Sequence, residues 1–157
     1  SARLLLARLR SRGIVYFRVR TLLHRSLVQP IMCFGSEVWA PSPLTRGRGV
    51  GHNLLHNPVQ GLQSYYFCTL GGAPRGTPIP VLCAVFQTNP VAVMWVCHAA
   101  RFWNHALQSD PQDLVYRALE ENWQLPFQSR GNVRFWSSHF QALIHTVCPD
   151  LTHWQPP

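Results

Sequence analysis

Four dipeptides do the most to limit what this chain can fold into: Asn57–Pro58, Thr77–Pro78, Asn89–Pro90 and Asp110–Pro111. Each sets a residue that can cap a helix beside one that fits the first helical turn and breaks any later one. Between them, apolar residues recur at steps of three and four, the period of a helix rather than a strand. The expectation is an all-α chain of short and medium helices. The first opens at Asn57–Pro58, with Val59, Leu62, Tyr65/Tyr66 and Leu70 on its apolar face, and stops at Gly71–Gly72. A short helix over Ile79–Gln87 follows. The next starts at Asn89–Pro90 and sets Val91, Trp95, Ala99, Phe102 and Ala106 against Arg101, Asn104, His105 and Gln108. Asp110–Pro111–Gln112–Asp113 opens a helix that carries Leu114, Val115, Ala118 and Leu119 and ends before Pro126. A last one spans Asn132–Val147, with Phe135/Trp136, Phe140 and Leu143/Ile144/Val147 as its apolar set.

The first third reads differently. Ala2–Arg12 is a Leu- and Arg-rich helix ended by Gly13. A second runs from Tyr16 to about Trp39, with Leu23, Leu27, Ile31, Phe34 and Val38 on one face. Pro30 should kink or split it. Residues 41–53 (PSPLTRGRGVGHN) lose all periodicity and read as a loop or linker.

Charge marks the same third. All 14 basic residues are Arg. Residues 1–50 hold nine of them against one acid, Glu37, a net +8; residues 51–157 balance at zero. Guanidinium stays charged at any biological pH and its planar fork fits phosphate. Arg8 and Arg12 lie one turn apart, Arg18 and Arg25 two turns apart, with Arg20 nearby. These five are the candidate phosphate contacts, which supply affinity but no sequence choice. Charged residues are only 13% of a chain with six Trp and eight Phe, so part of its surface is expected to meet another chain or missing sequence.

Complete catalytic sites are not visible. The near acid pairs are Asp110/Asp113, a helix cap, and Glu120/Glu121, with no phosphate-binding loop beside them. His52 and His56 are four apart but lack the Glu of a zinc hydrolase. Adjacent Cys97 and His98 diverge by about 100° on a helix. Gly35–Ser36–Glu37 lacks the second Gly of a nucleophile elbow, and Gly47, Gly49 and Gly51 follow no strand. Five cysteines without C-x-x-C spacing predict reduced, mostly buried thiols and an intracellular, nuclear or cytoplasmic place rather than secretion. The longest apolar run, Val91–Cys97, is too short to cross a bilayer. The chain opens on Ser rather than Met, so a piece of a longer reading frame is expected. A transit peptide is the rival reading of the Arg-rich start, disfavoured because it runs into a patterned helix.

The segment Leu27–Ala40, LVQPIMCFGSEVWA, resembles a stretch that LINE-type (non-LTR) reverse transcriptases carry after the palm. There a Pro and a small apolar run precede Tyr-Gly-Ser/Cys-Glu-Val/Ile-Trp; here Phe34 holds the Tyr place and Gly35, Ser36, Glu37, Val38 and Trp39 match. Leu62–Pro78 and Ala100–Leu107 (ARFWNHAL) resemble two further blocks, so the likeness covers about residues 1–147. It departs at Val85 and Gln87, where an acid and a Gly are usual, and lacks basic residues usual in the 62–70 helix. The resemblance implies thumb-like helices over 1–40 that grip an RNA–DNA or DNA duplex by its backbone. The 41–53 linker and a helical connecting region over 54–157 would follow. The catalytic palm and its Mg²⁺ would lie upstream, so this chain alone would be no enzyme and hold no cofactor. The alternative is a helical protein-interaction module with no nucleic-acid role.

Overall fold

The computed structural model describes residues 17–46, 49–128 and 135–149. The expected Ala2–Arg12 helix lies outside them, as do residues 132–134 of the expected last helix. The described residues are helical and include no strand, as the Pro-punctuated periodicity requires. The helices are α1 (Phe17–Leu23), a π-helical turn (His24–Val28), α2 (Gln29–Cys33), α3 (Ser36–Trp39), α4 (Pro41–Thr45) and α5 (Val50–His56). Then come α6 (Pro58–Gly71), α7 (Ile79–Val85), α8 (Val91–Gln108), α9 (Leu114–Gln128) and α10 (Trp136–Val147). They fall into two compact units, one of residues 1–34 with 56–94, the other of 35–55 with 95–157. The units thus interleave along the chain instead of following each other.

In the first unit Pro30 does not break the helix. The turn before it widens to π geometry, in which the Gln29 N–H donates to the His24 carbonyl. Pro30 then sits in the first turn of α2, where its missing N–H costs little. The break comes at Gly35, whose φ of +64° only glycine adopts freely. The wide turn also changes which face is buried. His24, Val28 and Met32 point inward, whereas Leu27, Ile31 and Phe34 are exposed, Phe34 at 83%. The predicted stripe is therefore the outer one.

Helix α6 starts and stops as its sequence dictates. Asn57 Oδ1 accepts from the Gln60 N–H at 2.8 Å, Pro58 opens the first turn, and Gly72 ends the helix at φ +67°. Its buried face is one residue round from the expected one: Gln60, Gln63, Tyr66, Phe67 and Leu70 are inside and Tyr65 is out. Two glutamines on a buried face have a reason. The first N–H groups of α8, after Pro90, find acceptors on α6. Gln63 Oε1 accepts from Val91 N–H at 2.9 Å and Gln60 Oε1 from Ala92 N–H at 3.2 Å. Gln63 Nε2 donates to the Asn89 carbonyl at 3.0 Å. These bonds replace an N-cap with side chains from another helix.

The second unit is built on Trp103, 1% exposed. Its ring stacks on Phe140 (5.3 Å, 25°) and Trp136 (6.0 Å, 15°) and tilts against Trp123 (5.7 Å). Small Ala99 and Ala106 on the same face of α8 let these rings approach, with Leu119 completing the cluster. Phe102, expected inside, is half-buried beside them, and Trp39 is exposed. The residues of the expected 41–53 loop are largely helical. Pro41 and Pro43 occupy the opening turns of α4, and Thr45 Oγ1 bonds back to the Pro41 carbonyl at 2.8 Å. Asn53 of α5 donates its amide to the Leu44 carbonyl at 3.1 Å, covering the end of α4. Helix α9 begins at Leu114, later than the Asp-Pro pair. Asp110 Oδ1 takes the Gln112 N–H in a turn, and the Asp113 carbonyl starts the helix by accepting from Arg117 N–H. It runs on to Gln128 rather than stopping before Pro126. Helix α10 is again capped from afar: Asn122 Oδ1 accepts the Ser137 N–H at 2.9 Å.

Replacing Gln63 by Leu should leave the buried Val91 N–H without its partner and remove the bond to the Asn89 carbonyl. A loss of about 1–3 kcal/mol is expected in denaturant unfolding; Gln63→Glu, which retains the acceptor, should lose less. Equal stability of Gln63→Leu and wild type would show that these bonds contribute nothing.

Candidate nucleic-acid interface

The described candidate arginines all stand on α1 and the π turn. Arg8 and Arg12 lie outside the described residues. Arg18 and Arg25, seven residues apart, are exposed and line one cleft of about 480 Å³ in the first unit. Arg20 points elsewhere: its Nη1 donates to the Leu70 carbonyl at the end of α6, at 2.6 Å. Arg25 Nη2 donates to the Gln87 carbonyl beyond α7. Both guanidinium groups thus meet the negative end of a helix, which holds them in place. The structure brings Arg18 and Arg25 together and gives Arg20 a mainly structural contact.

The far wall of the cleft is the end of α7. The Thr88 N–H reaches the Cys83 carbonyl at 2.9 Å and the Gln87 N–H the Ala84 carbonyl at 3.2 Å. This is a Schellman turn, and it forces Gln87 to φ +49°, among the described residues the lone non-glycine at positive φ. Phe17 packs on Phe86 at 4.9 Å, and Phe86 stacks on Phe67 at 4.3 Å. Sequence periodicity did not single out Phe17, Thr21 or Gln87 as cleft residues. They come from two segments some 65 residues apart, and only packing joins them.

Beside the cleft helix, His24 is 1% exposed between the rings of Tyr66 (4.9 Å) and Phe67 (4.7 Å). Its Nε2 has no hydrogen-bond partner. Burial, and then the neighbouring Arg25 charge, lowers its pKa from 6.5 to about 4. Burial likewise pushes the Tyr66 hydroxyl up to about 12 and the Cys83 thiol to about 11. All five cysteines are free thiols; Cys33, Cys68 and Cys83 are buried, Cys97 and Cys148 exposed.

In the second unit Ser36 Oγ lies 2.9 Å from His98 Nδ1. Ser36 is 0% exposed, and the pair ties α3 to α8. Glu37 contributes its carbonyl, which accepts from Trp136 Nε1 at 3.1 Å. Thr45 Oγ1 and His139 Nδ1 are hydrogen-bonded inside the same unit. Among the described residues no three metal-ligating side chains converge, and no helix is long and apolar enough to cross a membrane. No protein-family model, curated protein or solved structure matches the chain.

Two outcomes are expected. Gln87→Gly relieves a left-handed residue while keeping the carbonyl that Arg25 uses, so stability should rise by about 1 kcal/mol. Its melting point should move up by roughly 2–4 °C; an unchanged or lower value would contradict the strain. His24 binds a proton more readily unfolded (near 6.5) than folded (about 4). Its contribution is therefore complete above pH 6.5 and shrinks as pH falls through 6.5 towards 4, on the order of 3 kcal/mol in all. His24→Leu should flatten that stretch of the stability–pH curve relative to wild type; parallel curves would refute it.

Proposed function

We propose that this chain is a nucleic-acid-gripping part of a LINE-type reverse transcriptase, with the catalytic carboxylates and their Mg²⁺ in the upstream palm of the same polyprotein. The observation that carries the reading is the pairing of Arg18 and Arg25 on one cleft, in the third of the chain that holds its entire net charge. Among the described residues no carboxylate lines that cleft. Arg25 is already held by the Gln87 carbonyl, so little side-chain freedom is lost when its other N–H groups meet a phosphate. Contacts of this kind bind any RNA–DNA or DNA duplex and release counterions as they form. Leu27–Ala40 adds the family likeness, and the Gly35 turn in it is one that glycine alone makes without strain. In this reading the isolated chain has no polymerase activity, and its place is intracellular.

One observation favours a different reading. In the second unit Val38, Phe102, Leu114, Val115 and Trp136 line an open apolar groove of about 440 Å³, with Leu114 80% exposed. A protein-interaction module would present such a surface.

Salt separates the two. Duplex binding by the chain should be indifferent to sequence and fall steeply between 50 and 200 mM salt, and Arg18→Gln should reduce the log–log slope by about 1. Absent or salt-insensitive binding would remove the duplex-gripping reading and favour the apolar groove as the surface that meets a macromolecular partner.

A further inference from the structure

The cleft between α1 and the end of α7 has more than charge. Its volume, about 480 Å³, lies in the range of small-molecule sites. The helical run that carries Arg18 and Arg25 also brings exposed Phe17 and Leu22 to the cleft, and exposed Val85 lines it from α7. Phe17 is braced from behind by Phe86, tilted 41° to it, which is itself stacked on Phe67 at 15°. A braced ring next to two cations is more than a duplex backbone needs. In a duplex the bases stack on one another and only phosphate and sugar face outward. An aromatic platform beside phosphate donors fits a nucleotide whose base is unpaired.

We propose that this cleft binds a single unpaired nucleotide, such as one at a strand end, with its phosphate on Arg18 and Arg25 and its base against Phe17. The inference rests on the nucleic-acid reading above for the class of ligand, and it adds a second mode of contact to backbone gripping. The Gln87 carbonyl, presented by the Schellman turn, accepts from Arg25 at the edge of the same cleft that Phe17 lines. Arg18 completes the phosphate site from the preceding turns of the same helical run.

The test uses the 157-residue chain and calorimetric titration with adenosine monophosphate, ribose 5-phosphate and inorganic phosphate. The nucleotide should bind about fivefold or more tighter than ribose 5-phosphate, the difference being base stacking. Arg18→Gln should weaken both organic phosphates together. Phe17→Leu, which keeps the apolar contact with Phe86 but removes the aromatic face, should bring the nucleotide down to the level of ribose 5-phosphate. Equal binding of all three probes, no binding of any, or a Phe17→Leu variant that retains the preference would overturn the proposal. Duplex binding measured alongside tells the two readings apart. If it stays salt-steep while the nucleotide fails, only the cleft inference falls. If the nucleotide binds and the duplex does not, the gripping role falls and the cleft stands.

Discussion

Helix ends, and how this chain satisfies them, govern the rest of the structure. Every helix leaves N–H groups at one end and carbonyls at the other that must find partners. A chain with 13% charged residues and many short helices has numerous ends and few ions to place there. Among the described residues, several of these ends are met by side chains from other helices. Gln60 and Gln63 cover the start of α8, and Asn122 the start of α10. Arg20 and Arg25 cover the carbonyl ends of α6 and α7. Each such bond joins two helices at a defined point, so one contact satisfies the backbone and also orients the pair. Apolar packing supplies the driving force but is indifferent to rotation; these polar contacts fix it.

That economy shapes the candidate site. An arginine that caps a helix end is no longer a floppy surface cation. Arg25 is pinned by its contact with the Gln87 carbonyl, and the Schellman turn that presents this carbonyl requires Gln87 in a left-handed conformation. A strained residue is thus the support of a charged one. The aromatic run Phe17–Phe86–Phe67 and the caged imidazole of His24 stiffen the same helical segment from beneath. Arg18, without such a tether in the cleft, is the more adaptable partner.

Much of the architecture was legible in advance. Asn57–Pro58 and Gly71–Gly72 bracket α6 because capping and left-handed closure depend on only a few neighbouring residues. The fold class followed from periodicity for the same local reason. The faces were less legible. A π turn ahead of Pro30 swapped the inner stripe of that helical run, from Leu27 and Ile31 to His24, Val28 and Met32. Window-based reading assumes one turn width throughout. Residues 41–53 misled because Pro and Gly signal a break equally well as they signal the first turn of a new short helix.

The sequence alone determined that the chain is helical, where α6 begins and ends and where α7 and α8 begin, and that its positive charge belongs to the first third. Those properties arise from interactions within a few residues, so they are present wherever the segment goes. Only the tertiary structure decided that Arg18 and Arg25 line one cleft while Arg20 and Arg25 serve helix ends. It also decided that two buried glutamines serve as a cap, and that Phe17 and Gln87 line one cleft. These depend on which distant segments pack together, and pairing at that range is set by the summed burial of the whole core rather than by any local pattern.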